Sequence, residues 1–200
     1  VGDPVSVRYG RVMSRDDRSP CARGGAPRRK RDDDVLKVYG ARAVGAVTSG
    51  VIQGLSDVGA DLEKAVARLV GETIQASAEV SGNVGRVTQE TITGVVTGAS
   101  KTSTEVSAAA QTAIQSAIQA ASASGQDVGQ VAVSAVTGVM EGVKTVGGSA
   151  ADTLQASITT AMDTAAGVGG ETASRVKEAL SASVSGAAEL IKKRKAKEEE

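Results

Sequence analysis

The chain has no histidine, no phenylalanine and no tryptophan, and its single cysteine is Cys21. Without histidine it lacks the commonest general base and the commonest metal ligand. Its many Ser and Thr hydroxyls therefore lack the usual partner that activates a nucleophile. One cysteine permits neither an intrachain disulfide nor a CxxC site. Tyr9 and Tyr39 are the only aromatic residues, so the side chains that normally dominate a core are missing. No apolar run reaches the roughly 18 residues that a transmembrane helix needs, and the N-terminus has no apolar segment of the secretory kind. There is no GxxxxGK[ST] phosphate loop and no HExxH. GVGGET at 167–172 lacks the lysine and the preceding strand of a phosphate cradle, and reads as structural punctuation. These absences argue against an enzyme and against any cofactor or metal, and a cytoplasmic location is the expectation.

Charge is balanced at 23 basic and 23 acidic residues but unevenly spread. Residues 1–34 hold nine basic and six acidic groups, 35–191 nine and fourteen, and 192–200 five and three. All three prolines, Pro4, Pro20 and Pro27, lie near the start. Residues 1–39 therefore read as a disordered N-terminal segment, 40–191 as a repeat region and 192–200 as a charged tail. RRKR at 28–31 reads as part of a solvated tail. The body has no continuous basic face with interleaved aromatics, so nucleic acid is not an expected partner.

What is present is a repeat. Taking every eleventh residue from Val44, from Val47 and from Val51 gives 32 apolar residues of 41. The same reading from Ser49 and from Gln53 gives two of 26, Ala60 and Ala108. Positions three and four apart share one helical face. Eleven residues in three turns is about 3.67 per turn, so the apolar stripe stays on one side of a nearly straight helix. A period of 22 is superposed: Ile52, Ile74, Val96, Ile118, Met140, Met162 and Val184 widen the stripe. The surface-binding stripe comprises these residues together with Val44, Val47, Val51, Leu55, Val58, Leu62, Val66, Leu69, Val80, Val84, Val95, Val106, Ile114, Val128, Val139, Val143, Val146, Leu154, Ile158, Val168, Val176, Leu180 and Leu190.

Glycine followed by a capping residue recurs in VGAD at 58–61, VSGN at 80–83, SGQD at 124–127, VGGS at 146–149 and VGGE at 168–171. Gly ends helices and Asp, Asn or Ser starts them, so helices are expected to break here, unless one continuous helix runs through soft joints. A 44-residue echo joins VTSGVIQG at 47–54, TITGVVTG at 91–98 and AVTGVMEG at 135–142, each with Gly-x-x-x-Gly. Such spacing lets another backbone approach closely, so alternate units could pair as hairpins. The expected fold class is all-α, with long amphipathic helices built from these repeats.

Units such as GVVTGASKTSTEV and AVTGVMEGVKTVGGS resemble the 11-residue repeats of the perilipins and synucleins, and those of late-embryogenesis-abundant proteins. The first two families imply chains that turn helical on lipid surfaces. This chain lacks their regular flanking lysines. The cover for the stripe is thus a lipid surface or partner helices. Three functions are carried forward: a coat on a membrane, droplet or granule; a structural homo-oligomer, as a hendecad coiled coil or helical bundle; and a stress protectant.

Overall fold

The computed structural model describes residues 30–57, 61–79, 83–102 and 105–198. Among these there is no strand, and eight helices follow in order: α1 (Lys30–Asp57), α2 (Leu62–Glu79), α3 (Val84–Ala99), α4 (Val106–Ala123), α5 (Val128–Val146), α6 (Ala150–Val168), α7 (Gly170–Ser183) and α8 (Ala187–Glu198). The all-α expectation holds. The chain divides into two units, 1–35 and 36–200; the second carries the architecture below. Most of the expected disordered segment lies outside the described residues. From Lys30, however, the backbone is helical, so the helical region begins ten residues before the expected boundary at 40. No proline follows Pro27, and Asp32, Asp33 and Asp34 sit in the first turns of α1, where the helix dipole favours negative charge. At the other end α8 carries helix into the charged tail as far as Glu198.

Helices α2 to α6 begin 22 residues apart, one helix to each unit. The helices alternate between two layers. One layer contains α1, α3, α5 and α7, and the other α2, α4, α6 and α8. Helices two apart in sequence pack side by side within a layer, most extensively α3 on α5 and α2 on α4, while consecutive helices pack between layers. The result is a stack of helical hairpins with a 44-residue structural repeat.

The turns follow from the residues at fixed places in the unit. The side chains of Asp61, Asn83 and Asp127, spaced in multiples of 22, accept from the backbone N–H three residues on, at 3.3, 3.1 and 3.1 Å. Gly125 and Gly147 adopt left-handed φ of 66° and 76°. Just beyond them, Gln126 N–H donates to Ala121 O at 2.9 Å, and Gly148 N–H to Val143 O at 3.0 Å. These are Schellman closures, which the missing glycine Cβ permits. The expected breaks at 124–127 and 146–149 fall between helices, that at 168–171 narrows to Gly169 between α6 and α7, and those at 58–61 and 80–83 lie mostly outside the described residues. Two further breaks were not anticipated. Residues 100–105 carry no glycine; Ser100 N–H bonds Val96 O, and Glu105 opens α4 without a side-chain cap. The other, at 184–186, comes early in its unit, with Val184 extended and Gly186 at φ 84°.

The core between the layers is a column that an 11-residue reading conceals. Thr48, Val70, Ile92, Ile114, Val136, Ile158 and Leu180 recur every 22 residues, and all are buried. Half a period later the same series reads Gly59, Ser81, Ser103, Gly125, Gly147 and Gly169, and the described members, Gly125, Gly147 and Gly169, lie between helices. Eleven-residue counting therefore alternates helix centres with turns and averages the signal away. Burying such an aliphatic side chain contributes on the order of 2 kcal/mol. Alanines fill the space between them, notably Ala109, Ala110, Ala113, Ala117 and Ala121 of α4. Buried Thr88 and Thr91 donate to Val84 O and Val87 O at 2.8 and 2.7 Å, so their hydroxyls are satisfied within their own helix.

Candidate interaction surface

Two of the three Gly-x-x-x-Gly pairs, Gly94 with Gly98 and Gly138 with Gly142, lie at contacts inside the first layer. A Cβ built on Gly94 would collide with Gly45 O, and one on Gly98 would lie 2.8 Å from Ile52 Cβ. Forty-four residues later a Cβ on Gly138 would lie 2.5 Å from Gln89 O, and one on Gly142 2.6 Å from Val96 Cβ. Adding 44 to Gly45 gives Gln89, and adding 44 to Ile52 gives Val96, so the second contact repeats the first residue for residue. In each, one glycine takes a neighbouring backbone carbonyl and the next takes a β-branched side chain. Thr93 Oγ1 adds a hydrogen bond across the seam to Gly138 O at 3.0 Å. The glycines thus mate units two apart, while adjacent units form the hairpins.

The stripe read from the sequence is distributed as follows. Ile52, Val66, Ile74, Val95, Val96, Ile114, Ile118, Val139, Val143, Ile158, Val176 and Leu180 are buried. Val44, Leu55, Leu62, Leu69, Val84, Val106, Val128, Met140, Leu154, Met162, Val184 and Leu190 are half-buried. Val47, Val51, Val146 and Val168 are exposed. Val58 and Val80 lie outside the described residues. The chain's own helices therefore cover most of the stripe. Val70, Ile92, Val131, Val136 and Ile191 are buried as well and were missed; a 22-residue reading from Thr48 would have found Val70, Ile92 and Val136. On the opposite face Gln75, Gln119, Gln130, Glu141 and Asp152 are exposed, as the reading from Gln53 implies.

The exposed apolar residues are not spread evenly. On α1 Val47 is 65% and Val51 37% exposed. Ala43, Ala46, Gly50 and Gly54 beside them are exposed too, and a Cβ on either glycine would meet nothing within 4 Å. The equivalent residues one and two repeats later are closed over. Thr91 and Ala135 stand for Val47, and Val95 and Val139 for Val51, all at 0% exposure.

Other surface features are polar. A groove of about 550 Å³ is lined by residues including Arg42, Ser49, Gln53, Glu90, Thr93, Thr97 and Lys101. Thr93 and Thr97 donate to backbone carbonyls, and Gln53 donates to Ser49, so these donors are already engaged within the chain. Ion pairs link Lys64 to Asp61 at 2.7 Å, Arg68 to Glu72 at 2.7 Å and Arg175 to Glu171 at 2.6 Å, all well exposed. The Lys64 side chain holds the Asp61 carboxyl below its ordinary range, and Asp61 in turn raises Lys64. Among the described residues no group of three or more His, Cys, Asp or Glu could hold a metal ion, and no helix is long and apolar enough to cross a membrane.

No protein-family model matches the chain, and none of the curated proteins is similar to it. The likeness to perilipin, synuclein and late-embryogenesis-abundant repeats rests on period and composition.

Proposed function

We propose that the chain is a non-catalytic structural protein, a stack of helical hairpins that works by presenting helix faces to partner helices. The observation that supports this reading is the glycine ladder. Gly94 and Gly98 receive α1, and Gly138 and Gly142 receive α3, in one register. Glycine inside a helix costs about 0.5–1 kcal/mol relative to alanine. A helix lying on lipid gains nothing in return, because acyl chains flow around a Cβ. A neighbouring helix does not, so glycine at a fixed place on one face is useful when that face meets another backbone.

Coating of a lipid surface is the second reading, favoured by the exposed Val47, Val51, Val146 and Val168. It calls on the same stripe, so lipid would have to replace the neighbouring helices. The test is circular dichroism in buffer and then with vesicles, with flotation of the same samples. The structural reading expects strong helicity in buffer that vesicles leave unchanged. Helicity that appears only with vesicles would overturn it in favour of the coat. Helicity that appears only on drying would favour the stress protectant.

A further inference from the structure

We infer that a second copy of the chain covers the open face of α1, forming a two-fold dimer through Ala43, Ala46, Val47, Gly50, Val51 and Gly54. The inference rests on the structural reading above and names the partner of one of its faces. The corresponding Gly94 and Gly98 of α3 are packed against α1, and Gly138 and Gly142 of α5 against α3, with Thr91, Val95, Ala135 and Val139 buried beside them and Val87, Glu90 and Ser134 half-buried. Among the described residues a helix therefore covers this face at α3 and at α5, while at α1 it stands open. The open face continues an interface the molecule has already built twice.

The character of the face selects a helix as its occupant. Residues 43–56 contain no charged side chain, so covering them strands no ion in a low-dielectric interior. Gly50 and Gly54 would let a second backbone come close, and the four side chains between and before them are Ala or Val.

The other end of the layer does not supply that helix. The residues that seat against the next helix are Gly45 and Ile52 on α1, and Gln89 and Val96 on α3. The same series reaches Lys177 and Val184 at α7. Lys177 is exposed beside Glu178 and Ser181, and Val184 falls outside the helix, which ends at Ser183. Head-to-tail stacking would cover a charged surface and lack the β-branched knob. Face-to-face pairing of α1 with α1 of the second copy meets neither obstacle, and it closes into a dimer rather than a filament.

Sedimentation equilibrium of the full chain in buffer should give twice the 20.0 kDa chain mass. Gly50→Leu with Gly54→Leu should weaken self-association about tenfold or more, while circular dichroism stays as helical as in the parent. Leucine favours the helix of a free α1, so lost association with retained helicity separates the interface from folding. In a Cys21→Ser background, Val47→Cys should form a disulfide dimer on mild oxidation, because a two-fold axis brings equivalent residues together. A helical chain that stays monomeric overturns the proposal. So does association that cross-links Val47→Cys chains only to Lys177→Cys chains. A chain without helicity in buffer would instead overturn the structural reading, and this inference with it.

Discussion

The two layers build the same 22-residue unit by opposite means. In the layer of α1, α3 and α5 the contacts are made by subtraction: Gly94, Gly98, Gly138 and Gly142 leave room for a carbonyl or a β-branched side chain of the neighbour. In the layer of α2, α4 and α6 they are made by filling, with Val66, Val70, Ile74, Ile114, Ile118 and Ile158 set among alanines. Close backbone approach substitutes for side-chain bulk, and a chain without Phe or Trp can use both. The difference also shows why a high glycine content does not by itself argue against a folded helix array. Some glycines are required by a neighbour, while others, such as Gly71 and Gly167, face open space.

The comparison is broken most strongly in the filled layer. Ile114→Ala removes a fully buried side chain and is expected to cost about 3 kcal/mol through lost burial and the cavity left behind; urea unfolding followed by circular dichroism measures it. The mirror-image change in the subtracted layer is an addition. Gly138→Ala places a Cβ about 2.5 Å from Gln89 O, a backbone atom that cannot swing away. Despite the better helix propensity of alanine, the net loss should be about 1–2 kcal/mol. The same substitution at Gly71 meets nothing within 4 Å and should stabilise by about 0.5–1 kcal/mol. Opposite signs for these two glycine substitutions are the core of the comparison; equal signs would mean that the ladder does not govern the packing.

The smallest effect concerns charge. Asp61 is depressed below its ordinary pKa of 3.8, chiefly by the Lys64 side chain and then by the Lys64 backbone N–H. A depressed carboxyl contributes stability above its unfolded value and loses it as the pH falls through the folded value. Asp61→Asn keeps an acceptor for the N-cap and removes the ion pair. It should therefore be slightly less stable than the parent at neutral pH and equal to it once acid has neutralised the parent's Asp61. The pair is fully exposed, so raised salt should narrow the neutral-pH difference, as thermal melts at both pH values would show.

Much of this organisation is legible in the sequence, and the illegible part has identifiable causes. The helical class and the breaks after α4, α5 and α6 follow from the 3-4-4 spacing and from glycines beside Gln, Ser or Glu. The break at 100–105 escaped because Lys101 and its Ser and Thr neighbours stand where glycine was sought. Helix at 30–39 escaped because a run of charge resembles a solvated tail until an adjoining helix extends through it. The column through Ile92 and Val136 escaped because a period of 11 samples turns as often as helix centres. Which faces meet was the least legible. Gly94 and Gly138 look alike to any periodicity count, and only the folded chain shows that each faces the helix before it in the layer, two units back.

The alternation of layers gives the chain a parity. Deleting 44 residues, for instance 84–127, would join Asn83 directly to Val128, so an N-cap would again precede a glycine-bearing helix on its own side of the stack. Deleting 22, for instance 84–105, would join the same Asn83 to Val106 and carry the alanine-filled α4 across to the side where glycines are needed. Every later helix would change sides with it. An array of this design tolerates growth or loss in pairs of units and resists it in single ones, so an odd step in its length would be a change of architecture rather than of size.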